Sequence, residues 1–138
     1  MYVLEPVQPA QFRRNIANIT PRTLRNARQW AHGLAEDNGI DPDPVELVVS
    51  ELVTNVSRHA LGPARISIAL TGAGIVVSCI DRHPESADAV KSGDDVLGDG
   101  KSRRGLFILA ALATDGIRVE AETRRKRVTV RLPIGDQP

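Results

Sequence analysis

Hydrophobic positions in the middle of the chain repeat with a helical period. Between Asp43 and Ala60, Val45, Val48, Val49, Leu52, Val53 and Val56 converge on one stripe at about 100° per residue, which predicts an amphipathic helix laid on a core. Asp43 is expected as its N-cap, Pro44 in its first turn and Glu46 as the return member of a capping box. Along one edge of the stripe, Glu51, Asn55 and His59 follow each other four residues apart, about 6 Å of rise. A carboxylate, an amide and an imidazole thus share the line where the buried face meets solvent, and that line could hold a ligand. Leu24, Ala27, Ala31 and Leu34 predict an earlier helix over about residues 21–37, capped at Thr20-Pro21 and stopped at Asn38-Gly39. Only a short polar connector separates the two helices, so they are expected to be neighbours in space.

From Ala64 the period changes to two. The runs ARISIALT and GIVVSCID, separated by Gly72-Ala73-Gly74, predict an antiparallel hairpin whose second strand ends at Asp81. Residues 82–103 show no period and contain Pro84, Gly93, Gly98 and Gly100, the composition of a long loop, and loops of that length in a compact domain are usually functional or mobile. RGLFILAALA returns to helical spacing, and IRVEAET with RVTVRLP forms a closing hairpin across the basic turn Arg124-Arg125-Lys126. At the start, residues 2–8 suggest a short edge strand, while residues 12–19 fit neither period. This order of elements predicts an α+β fold, a two-layer α/β sandwich with helices on one face of a mostly antiparallel, mixed sheet. Neither GxxxxGK[ST] nor GxGxxG after a strand is present, so a nucleotide site would have to be of another kind.

A chain of 138 residues suits a single domain spanning 1–138, and its net charge of +1 supplies no global field for nucleic acid. Aromatic residues make up 3%, too few for a platform on which bases could stack, so direct nucleic-acid binding is not expected. The single cysteine, Cys79, excludes an intrachain disulfide and is expected in the core of its strand, as Trp30 is expected to pack the first helix. The basic turn Arg124-Arg125-Lys126-Arg127 is expected to be solvated surface, and His83 a solvent-facing loop residue. With no basic leader and no membrane-length apolar run, the expected location is cytoplasmic.

The motif Ser50-Glu51-Leu52-Val53-Thr54-Asn55 through His59, a strand ending in Ile80-Asp81, and Arg103-Arg104-Gly105-Leu106 at a helix start together resemble the GHKL ATPase superfamily. The resemblance runs from the first helix to the last strand. It is nearest to the small anti-sigma-factor serine/threonine kinases and related actinobacterial ATP-binding regulators. It implies ATP and Mg²⁺ as cofactors and a sigma factor, an anti-anti-sigma protein, or both as partners. Glu51 would be the general base toward a partner serine, Asn55 the magnesium ligand and Asp81 the contact for the adenine amino group. Arg103, Arg104, Gly105 and Leu106 would form the phosphate-facing helix start, and residues 82–103 an ATP lid. Because such kinases often dimerise, a homodimer is a further implication.

Two places depart from the family pattern. His83 and Glu85 stand where small residues are expected, and Arg103 replaces the first glycine of the final box. The Arg103 side chain either blocks the site or binds phosphate in place of backbone N–H groups, and Lys101, Arg103 and Arg104 could instead be a solvated loop. The alternative to a kinase is therefore a non-catalytic protein-binding module with a degenerate nucleotide site.

Overall fold

Thr20 opens helix α1 (Pro21–Asp37) as the sequence predicts. Its hydroxyl accepts the Thr23 N–H at 3.1 Å while Thr23 Oγ1 accepts the Thr20 N–H at 2.7 Å, so threonine completes a capping box more often closed by glutamate. The stop is also as expected, with Gly39 at φ 69°, a conformation that glycine enters without a Cβ penalty. Helix α2 (Pro42–His59) begins earlier than predicted. Asp41 precedes its first residue, and Asp41 Oδ1 accepts the Asp43 N–H at 3.1 Å. The connector contains two Asp-Pro pairs, and the first is used because Pro44 fits within the opening turn, where its missing N–H costs no helical bond. Glu46 is consequently not a capping residue.

Glu46 ties the two helices together instead. His32 Nδ1 lies 2.9 Å from Glu46 Oε2, His32 Nε2 lies 2.9 Å from Glu36 Oε1, and Arg28 Nη2 lies 3.5 Å from Glu46 Oε1. The hydrogen bond to Glu46 is the main cause that raises the His32 pKa above 6.5; partial desolvation opposes it, and the charges of Glu36, Glu46 and Asp43 add to it. A raised folded-state pKa means that the imidazolium's contribution is fully present below the unfolded value and is lost as pH rises through the folded value. Thermal midpoints of the wild type should therefore fall between about pH 6 and pH 8 relative to those of His32→Gln. A difference between the two that did not change with pH would rule the clasp out.

The structure described here is a computed structural model covering residues 10–59, 62–84 and 117–133. The strands are β1 (Ala10–Ile16), β2 (Ala64–Thr71), β3 (Gly74–Asp81), β4 (Ile117–Ala121) and β5 (Lys126–Leu132). They form one sheet in the order β1-β2-β3-β5-β4, and every pairing is antiparallel. Residues 10–16, which overlap the ambiguous stretch 12–19, form one of the two edge strands of this sheet. Arg14 interrupts the apolar series Phe12, Ile16, and what settles the strand is its full-length pairing with β2, from Ala10↔Leu70 to Ile16↔Ala64. The edge strand suggested for residues 2–8, the helix from residue 104 and most of the loop from 82 to 103 lie outside the described residues.

Helix α2 packs on β2, β3 and β5, and α1 packs on α2. All six residues of the predicted stripe are buried, as are Ile66, Ile68, Val77, Val130 and Leu132 on the facing side of the sheet. Each fully buried Val, Leu or Ile side chain contributes roughly 1.5–3 kcal/mol, so this interlayer dominates the stability of the described fold. Trp30 is half-buried against the same core. Among the described residues, no helix is long and apolar enough to cross a membrane.

Candidate functional site

The amphipathic pattern of α2 carries Asn55 further inward than its place at the stripe's edge suggests. Asn55 is 7% exposed, beside the fully buried Leu52, Val53 and Val56 in sequence, and its Nδ2 has no hydrogen-bond partner among the described residues. Glu51, one turn earlier, is half-buried. The His59 side chain lies outside the described residues, so the three-residue line is seen only in its first two members.

Opposite α2, the alternation of β3 turns Ile75, Val77, Cys79 and Asp81 toward the helices. Asp81 is the polar end of an otherwise apolar series and is 2% exposed. Its Oδ1 accepts the His83 N–H at 2.8 Å, a local turn that fixes one oxygen of the carboxylate. The other oxygen, Oδ2, is 3.2 Å from Lys126 Nζ, close enough for an ion pair, yet no donor meets it with hydrogen-bond alignment. Both side chains of the pair are 1% exposed. His83, whose backbone closes this turn, is partly buried.

Lys126 corrects the expectation that the whole basic turn is solvated. Arg124, Arg125 and Arg127 are exposed, but Lys126 is the first residue of β5 and pairs in register with Asp81. The strand's alternation gave the signal: Lys126 is in phase with Val128, Val130 and Leu132, all buried. Counting charges over the turn hides that phase. Burial, with a further contribution from Asp81 and against the charge of Lys126, pushes the neighbouring Cys79 thiol up to about 12. Cys79 is therefore an inert core residue, as its strand pattern suggests.

Asn55 and Asp81 thus lie on the facing surfaces of two packed layers, and their side chains supply the buried atoms without hydrogen-bond partners among the described residues. Buried polar atoms normally find partners, so these two atoms, one on α2 and one on β3, are positions suited to further polar groups. The end of β3 also borders a hollow of about 700 Å³ whose wall includes Arg65, Arg82, Arg124 and Arg125. Asp81 itself belongs to that wall, although its side chain is only 1% exposed. Arg103, Arg104, Gly105 and Leu106, together with Glu85, lie outside the described residues.

A family model described as the histidine kinase-like ATPase domain matches residues 17–132, from just before α1 to the end of β5. No curated protein matches the chain.

Proposed function

The chain belongs to the histidine kinase-like ATPase domain family, and from that premise we propose an ATP- and Mg²⁺-binding regulator of the anti-sigma-factor serine/threonine kinase type. It sequesters a sigma factor and phosphorylates an anti-anti-sigma protein on serine. One observation carries the reading furthest: among the described residues, the buried side-chain atoms without hydrogen bonds belong to Asn55 and Asp81, which the family resemblance assigns to metal and adenine.

The donor and acceptor types fit. Asp81 Oδ2 is an acceptor, as an exocyclic amino group requires, and its partner Lys126 holds the carboxylate in place from the adjacent strand. Asn55 Nδ2 suits a phosphate oxygen, and turning the amide by 180° would offer its oxygen to Mg²⁺, which favours few protein oxygens with phosphates and waters completing its shell. When bound, the metal offsets phosphate charge during transfer. Glu51 stands one turn before Asn55 and takes the proton of the attacking serine hydroxyl. Residues 103–106 complete the phosphate-facing end in this proposal.

The test is calorimetric titration of ATP with and without Mg²⁺, joined to an assay of serine phosphorylation. Glu51→Gln is expected to keep ATP affinity within about twofold and to lose transfer by about 10²–10⁴-fold. Transfer at the wild-type rate in that variant would remove Glu51 from the role of base. A second reading, a protein-binding module without turnover, is favoured by Lys126 itself, whose ammonium competes with an adenine amino group for Oδ2. Failure of the wild type to bind ATP with Mg²⁺ would select it.

A further inference from the structure

We propose that the sheet face opposite the helices is a docking trough for an acidic helical segment of a partner protein. On this face the central strands carry small side chains, Ser67 and Ala69 on β2 and Ser78 on β3, which floor a trough of about 400 Å³. One wall is formed by exposed Arg118, Arg127 and Arg131 from β4 and β5. None of the three has an ion-pair partner among the described residues, although Glu120 lies opposite Arg127 in register.

The dimensions suit a helix. From β1 to β5 there are three strand spacings, about 14 Å, and an α-helix is about 10–12 Å across with side chains. Arg118 is registered opposite Thr129, midway between Arg127 and Arg131, so the three guanidiniums originate about 6.6 Å apart along the strand direction. Carboxylates at i, i+4 and i+8 of a helix are about 6 Å apart. Small floor residues let the helix approach, and half-exposed Val76 supplies apolar contact. A second copy using the same face would set arginine against arginine. For a nucleic acid, 3% aromatic residues leave few surfaces on which bases could stack. The nucleotide reading concerns the opposite face of the sheet, so this inference stands apart from it.

The experiment uses the full chain and fluorescence anisotropy with a labelled amphipathic helical peptide, leucine on one face and glutamate at i, i+4 and i+8. The same peptide with lysine for glutamate and a single-stranded oligonucleotide are the comparison probes. Saturable binding of the glutamate peptide that weakens with salt is expected, with little binding of the lysine peptide. Arg127→Glu/Arg131→Glu, which reverses the wall, and Ser78→Tyr, which fills the floor but keeps the charge, should each weaken binding at least about tenfold. ATP titration of the same variants should be unchanged, which separates this proposal from the nucleotide site. No saturable binding of the glutamate peptide to the wild type, equal binding to both variants, or preference for the oligonucleotide would each overturn it.

Discussion

Lys126→Met is expected to destabilise the fold by about 3–5 kcal/mol, because it leaves the Asp81 carboxylate buried without its cation. The substitution keeps most of the side-chain volume, so cavity formation contributes little, and the loss measures the charge left behind. Asp81 would then retain the His83 N–H as its hydrogen bond among the described contacts. Urea unfolding followed by circular dichroism gives the number, and a loss below about 1 kcal/mol would show that the pair is hydrated or loosely held. The companion variant Asp81→Val/Lys126→Met should recover most of the stability, since replacing both members of a buried pair by apolar groups is often close to neutral. The surplus cost in the double variant is the His83 N–H, about 1 kcal/mol.

Those two outcomes bear on why a buried pair stands at this point of the sheet. Apolar side chains of similar volume would join β3 to β5 about as well. What the pair adds is a carboxylate of fixed direction in the interlayer, with one oxygen held by the 81–83 turn and the other beside an ammonium 3.2 Å away. On the proposed reading, the double variant folds but loses its contact with the adenine amino group. Stability and base recognition then separate in one protein.

The two described helices and the two hairpins are legible in the sequence because local pattern and tertiary environment agree. The α2 stripe and the alternation of β2, β3 and β5 each describe a face that is buried on one side only, and the Thr20 cap is a purely local signal. Legibility ends where the deciding partner is remote in the chain. β1 has two apolar inward positions interrupted by Arg14, and its strand character comes from pairing with β2 some fifty residues later. The start of α2 depends on which of two similar Asp-Pro pairs is used, a small local difference. Lys126 is the instructive case. Its composition suggests surface and its phase indicates core, and the phase prevails because Asp81 waits in register on the neighbouring strand. At the candidate site, residue types point to chemistry, whereas the lack of hydrogen bonds at Asn55 Nδ2 and Asp81 Oδ2 among the described residues emerges only in three dimensions.

Asn55→Leu is expected to move stability and function in opposite directions. A buried amide N–H without an acceptor costs about 1–3 kcal/mol, and leucine of similar size removes that cost beside Leu52, Val53 and Val56. Unfolding free energy should therefore rise by about 1–2 kcal/mol, which in a chain of this length lifts the thermal midpoint by several degrees. ATP affinity in the presence of Mg²⁺ should fall by about 10–100-fold, while the weaker affinity without the metal changes less. Each half fails separately. A variant destabilised by several kcal/mol would mean that the Asn55 amide has a partner within the protein, and unchanged Mg²⁺-dependent affinity would remove Asn55 from the metal. A structural residue gains nothing from an unsatisfied group, so a site that becomes more stable as it loses its ligand identifies Asn55 as held for binding rather than for the fold.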